Sequence, residues 1–148
     1  MLLTVKIKKL NDNAKLPTRG SLNAAGADLY ACLEDPFVQI HPHETVKIPL
    51  GFASEFTPGY EAQIRARSGI SYKKSLAPIN EPGTIDADYR GEWAVLLHNY
   101  SDSIQIVEHG ERVAQVVFSE IETPAFDEVE ELDETERGEN GFGSTGTN

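Results

Sequence analysis

The chain has 148 residues, a length that suits one domain with a real core. Its net charge of −11, from 24 acidic and 13 Lys+Arg side chains, argues against a non-specific nucleic-acid binder or an anionic-membrane binder, since both need a basic face. Cys32 is the only cysteine, which rules out an intrachain disulfide, and the lack of a signal peptide or of an apolar run near ~18 residues reads as soluble and cytoplasmic.

Leu3-Thr-Val-Lys-Ile7 alternates apolar and polar residues with period two, as a half-buried strand does. Residues 11–20 are polar, contain Pro17 and Gly20, and read as a connection. Residues 24–33 are rich in Ala and Gly around Asp28. Residues 37–40 and 45–52 read as strands separated by His41-Pro-His43. Residues 60–67 place Tyr60, Ala62, Ile64 and Ala66 on one face and Glu61, Gln63, Arg65 and Arg67 on the other. Residues 68–71 can start one helical turn, and 72–82 read as a loop. Strands are expected at 93–98, 104–107 and 113–118, with a turn at 99–103 and a further short strand at 126–129. No stretch of ten residues keeps a 3.6-residue period, so an all-β sandwich or barrel is expected. Residues 127–139 are acidic and 140–148 are Gly/Ser/Thr-rich around Phe142, the composition of a mobile tail.

Gly83-Thr-Ile-Asp-Ala-Asp-Tyr-Arg-Gly-Glu92 places two glycines around two carboxylates and a tyrosine. Its two readings are a solvated hairpin and a rigid turn that carries a small site. Arg67-Ser-Gly69 ends a strand with a guanidinium suited to phosphate oxygens, or is a surface turn. Gln115 shares a strand face with Val113 and Val117, where a buried amide needs partners. Gly141-Phe-Gly-Ser-Thr-Gly146 spells G-x-G-x-x-G, but no strand leads into it and no helix follows, so it is not a dinucleotide fingerprint. Its backbone N–H groups and hydroxyls can still cradle phosphates. His41, His43, His98 and His109 lack zinc-ligand spacing.

Five segments in order resemble one family, the homotrimeric dUTP pyrophosphatases (dUTPases) of bacterial or phage type. They are Ala25-Gly-Ala-Asp-Leu-Tyr-Ala31, Arg67-Ser-Gly-Ile70, residues 80–92, Gly110-Glu-Arg-Val-Ala-Gln115 and residues 137–146. The resemblance implies a jelly-roll-like β-sandwich over 1–136, a Gly-rich C-terminal lid at 137–148, and a trimer whose active sites lie at subunit interfaces. It implies hydrolysis of dUTP to dUMP and pyrophosphate with Mg²⁺. By the same resemblance Asp86 is the catalytic base and Tyr89 is the wall that excludes a 2′-hydroxyl. Asn80, with Gly83 and Ile85 of the following turn, reads uracil. Arg67, Ser68, Gly69, Gln115, Arg137, Gly143, Ser144 and Thr145 hold the phosphates, Phe142 stacks on the base, and Asp28 meets Mg²⁺ through water.

The chain departs from the family pattern in places. Ala66 stands where a Pro is common, and Glu139 and Asn140 replace commoner small residues. Trp93 after the third segment is either a stacking platform for Phe142 or a core residue. The related dCTP deaminase reading would want its own catalytic Glu and lacks the Gly83–Glu92 pattern. A second role with a regulatory protein partner has no long insertion to support it.

Overall fold

The computed structural model describes residues 2–146. Among them are eleven strands and one short helix: β1 (Lys6–Lys9), β2 (Ala27–Tyr30), β3 (Phe37–Ile40), β4 (Thr45–Pro49), β5 (Phe52–Glu55), β6 (Tyr60–Arg65), α1 (Ser68–Lys74), β7 (Leu76–Pro78), β8 (Gly83–Ile85), β9 (Ala94–Asn99), β10 (Gln105–Glu108) and β11 (Arg112–Glu120). The all-β class expected from the sequence forms, with one short helix beside the strands.

The strands pair antiparallel in four open sheets, ordered β1-β5, β10-β3, β2-β11-β6-β8 and β4-β9-β7. One apolar core joins all four. Leu29 and Val116 come from the four-stranded sheet, Ile48, Leu76 and Leu97 from the three-stranded one, and Phe52, Ile40 and Val107 from the two pairs. Each of these side chains is almost completely out of water, and burying a residue of that size contributes about 1.5–3 kcal/mol.

Polar groups inside this core are matched. Asn99 is fully buried, and its Nδ2 donates to the carbonyls of Ile40 (2.9 Å) and Ser103 (2.8 Å). Its Oδ1 accepts from the Ser101 amide (2.9 Å) and hydroxyl (2.7 Å). All four capacities of the amide are therefore used, and they fix the 99–103 turn that the sequence marks. Trp93 packs on Phe52 with ring centroids 5.2 Å apart, and its Nε1 donates to Ser54 Oγ at 3.0 Å. Its exposure of 1% leaves no face for Phe142, so of its two sequence readings the core role is the one realised.

Several boundaries differ from expectation, each for a physical reason. The first strand runs from Lys6 to Lys9 rather than over 3–7, because its partner β5 offers Phe52 to Glu55 as the ladder. Period two fixes the face of a strand but not which residues find a partner. The expected 45–52 strand is divided at Gly51, whose φ of 76° turns the chain out of the ladder. A Cβ on Gly51 would also lie 2.7 Å from Cys32 Sγ. Helix α1 continues to Lys74, beyond the single turn expected, and ends at Ser75 in the left-handed region. The expected 72–82 loop therefore contains the end of α1 and strand β7. No strand forms at 126–129, where Phe126 is 97% exposed.

Candidate active site

Three strands bring the second and fourth sequence segments onto Asp28. Along β11, Gln115 stands opposite Asp28 of β2 on one side and Arg65 of β6 on the other. The register of β11 against β2 shifts between Arg112 and Ala114, and such irregularities re-aim side chains beside sites. Arg67 leaves the end of β6, and its Nε donates to Asp28 Oδ1 at 2.9 Å. Arg112 Nη1 lies 3.4 Å from Asp28 Oδ2. Gln115 Nε2 donates to the Ala66 carbonyl at 2.9 Å, which holds the chain just before Arg67. Gly26 lies under this amide, since a Cβ there would be 2.2 Å from Gln115 Oε1.

Around this junction Gly69, Ile70, Lys73, Lys74 and Glu111 line a small cleft with Arg67 and Arg112. Glu111 organises one side of it. Its Oε1 takes Lys74 Nζ at 2.5 Å, and its Oε2 accepts the Glu108 amide at 2.9 Å. Four cations thus surround two paired carboxylates in a molecule that is acidic as a whole, a local field suited to an anion.

The Gly-flanked segment forms a second group. β8 pairs with β6, and the turn that follows carries Asp86, Asp88 and Tyr89. Arg90 locks that turn. Its Nη1 donates to the carbonyls of Ala87 (2.7 Å) and Ser54 (3.2 Å), and the Tyr89 amide donates to the Asp86 carbonyl at 3.1 Å. Tyr89 Oη donates to the Glu92 carbonyl at 3.2 Å. Asp86 is exposed beside a groove of about 800 Å³ lined in part by Thr4, Lys6, Phe56, Tyr60 and Arg90. Asn80 sits over Gly83, where a Cβ would be 3.3 Å from Asn80 Nδ2. Glu81 Oε1 accepts the Ala66 amide at 2.8 Å and ties this segment to the arginine turn.

The last segment stands apart. Arg137 Nε donates to the Asn140 carbonyl at 2.8 Å, and the amides of Ser144 and Gly146 donate to Gly141 and Gly143. These are bonds within the segment. Phe142 is fully exposed with φ 52°, and Gly143 follows with φ 85°. Among the described residues no hydrogen bond or ion pair joins Asp86, Tyr89 or Arg137 to Asp28, Arg67 or Gln115. Within the chain the Gly-flanked segment reaches the arginine turn through Glu81, while residues 137–146 hydrogen-bond to neither.

Sequence reasoning passed over Arg90, Arg112, Glu81 and Glu111. Arg112 and Glu111 lie inside a segment the sequence singles out, and their charge beside Gln115 was the available signal. Arg90 and Glu81 lie inside the 80–92 segment too, but their bonds to the Ser54 carbonyl and the Ala66 amide join residues distant in sequence, which no local pattern displays.

The donor set also bears on metal. Among the described residues no three His, Cys, Asp or Glu side chains are grouped to hold an ion. Asp28 offers one carboxylate, already met by two arginines. That set cannot cage an ion, but it fits a Mg²⁺ that arrives on phosphates and keeps its waters.

A family model described as dUTPase matches residues 12–146. The chain belongs to the dUTPase family. Two curated relatives named deoxyuridine 5′-triphosphate nucleotidohydrolase agree in length as well as sequence. The one from a Hydrogenobaculum species is 48% identical over 140 residues, covering 95% of this chain and 96% of the relative. The one from Syntrophotalea carbinolica is 44% identical over 144 residues, covering 97% of each. Among solved structures, the dUTPase of Staphylococcus bacteriophage 80alpha with dUPNHPP superposes with a TM-score of 0.86 at 31% identity, covering 97% of this chain and 99% of that one. A mutant dUTPase from phage phi11 of S. aureus, described with a structural Mg(II) ion, matches at 25% identity with a TM-score of 0.77, covering 88% of this chain and 99% of that one.

Proposed function

We propose that the protein is a dUTP diphosphatase that converts dUTP and water to dUMP and pyrophosphate at sites shared between three copies of the chain. The observation that carries this reading is the junction at Asp28, where Arg67, Arg112 and Gln115 converge in a chain matched by the dUTPase family over nearly its whole length.

In the reaction, water attacks the α-phosphorus. The bond from that phosphorus to its bridging oxygen breaks, and pyrophosphate leaves with the electron pair. Asp86 orients the water and takes its proton, a role that a carboxylate held by a rigid turn can fill, and position contributes much of the rate. Arg67, Ser68, Gly69 and Gln115 receive the phosphates. Two guanidiniums that already hold a carboxylate are placed to hold another anion. Arg137, Gly143, Ser144 and Thr145 close over the triphosphate from another copy, and Phe142 stacks on the base. Asn80 with the backbone of Gly83 and Ile85 reads the uracil edge, and Tyr89 lies against the deoxyribose. Asp28 would meet Mg²⁺ through water, and the ion supplies positive charge against the triphosphate.

Among the described residues no hydrogen bond or ion pair joins Asp86 or Arg137 to Asp28, Arg67 or Gln115, which supports a homotrimer with shared sites. Residues 1–136 then form the body and 137–148 the lid. The experiment is pyrophosphate release from dUTP compared with UTP, dTTP and dCTP. Release from dUTP alone is expected. Equal release from UTP, or ammonia from dCTP, overturns the assignment.

A further inference from the structure

We propose that Gly91 is a positioning residue that sets where the Tyr89 ring lies, and so determines how strongly a ribonucleotide is rejected. The proposal rests on the reading of Tyr89 as the wall beside the sugar. A Cβ placed on Gly91 would lie 2.2 Å from Tyr89 Oη, 2.4 Å from its Cζ and 2.8 Å from its Cε1. The three nearest atoms all belong to this one ring. No real Cβ tolerates such distances, so the ring occupies the space that the missing side chain leaves.

The glycine is required for that space and not for its backbone. Gly91 is not among the residues with positive φ, so its conformation is open to alanine. The turn around it is held independently by Arg90 on the Ala87 and Ser54 carbonyls. Tyr89 is the side that can move. It is 43% exposed, and its hydroxyl makes one hydrogen bond, to the Glu92 carbonyl. A methyl at position 91 therefore displaces the ring and spares the turn. A displaced ring no longer closes the volume of a 2′-hydroxyl. Gly26 under Gln115 repeats the arrangement on the phosphate side, where it has no bearing on the sugar.

A pocket that rejects an added hydroxyl by shape alone discriminates by about 10²-fold. The experiment measures kcat/KM for dUTP and UTP in the full-length enzyme and in Gly91→Ala, Tyr89→Ala, the double variant and Gly26→Ala. Gly91→Ala is expected to lower the dUTP:UTP ratio by about tenfold or more, out of that total. In the Tyr89→Ala background the same change should have no further effect, because neighbours that act through one contact are not additive. Gly26→Ala should lower kcat/KM for both nucleotides alike and keep the ratio. If Gly91→Ala fails to fold while the double variant folds, the ring has not yielded to the methyl and the proposal is overturned. A Gly91→Ala ratio within about twofold of the parent while Tyr89→Ala changes it overturns the proposal, as does an equal Gly91→Ala effect in both backgrounds. If Tyr89→Ala leaves the ratio unchanged, the sugar-wall reading itself falls.

Discussion

The junction at Asp28 and the segment from 122 to 146, which the proposed function sets against the same triphosphate, are built in opposite ways. Asp28 and Gln115 come from adjoining strands and Arg67 from the turn that leaves the next one, and each is held by a residue distant in sequence. Arg137, Phe142 and Ser144 sit on the 122–146 stretch, which is almost wholly exposed and, among the described residues, hydrogen-bonded only to itself. A phosphate pocket made of fixed dipoles and charges needs no reorganisation when substrate arrives. A closing segment must instead gain its order from the ligand, so its contribution appears in turnover and not in the stability of the free protein. Eight of the 24 acidic side chains lie within 127–139, and their mutual repulsion favours an extended stretch there.

This contrast can be broken from either side. The largest effect is expected at the turn between the two regions. Asp86→Asn should keep the fold and the KM for dUTP while kcat falls by roughly 10²–10⁴, read by steady-state kinetics. Removing residues 137–148 comes next. Activity should fall by about 10²-fold or more through loss of oriented groups, while the melting temperature stays within about 2 °C. The third test sets two arginines side by side. Arg67→Ala leaves Asp28, 16% exposed, with only Arg112 at 3.4 Å, and should destabilise by about 1–3 kcal/mol besides impairing catalysis. Arg137→Ala should impair catalysis and leave thermal unfolding unchanged, so equal melting shifts for the two would erase the distinction.

The smallest effect concerns acid stability. Glu55 sits below its ordinary value, first because Lys6 donates a hydrogen bond to it at 2.8 Å and then because of the charge of Lys6. A carboxylate lowered on folding stabilises above its unfolded value and loses that contribution as pH falls through the folded one. Lys6→Met should therefore slightly lower stability at neutral pH, where the contribution is fully present, and the variant should converge with the parent as acid protonates Glu55, which flattens the acid limb. Cys32 moves the other way. Burial raises its thiol, with Glu92 adding to the rise, so it should react slowly with thiol reagents at neutral pH until the fold opens.

The two regions were also unequally legible in the sequence. β3 lies where its alternation places it, and β6 and β11 lie within two residues of expectation, because one face of each is buried and period two then has to be kept. β7 was invisible because three residues ending in Pro78 carry no period at all. The Gly-flanked turn stood out through composition, yet the reason it is rigid did not. Arg90 does that by reaching the Ser54 carbonyl 36 residues away, a contact chosen by tertiary folding. Likewise Arg112 reads as an ordinary strand-edge cation until β2 brings Asp28 beside it. In the C-terminal stretch the suggested strand at 126–129 found no partner among the described residues. Apolar residues such as Phe126 and Leu132 pattern a surface that a single copy leaves open.

The central claim is that one active site takes Asp86 and Arg67 from different chains. Mixing separately inactive Asp86→Asn and Arg67→Ala proteins, unfolding them together and refolding them, tests it directly. If the two residues come from different copies, mixed assemblies contain some sites with both intact, and dUTP hydrolysis should recover well above the sum of the two variants. If both residues serve a site from one chain, every site keeps a defect, and a mixture no more active than its components would contradict the account.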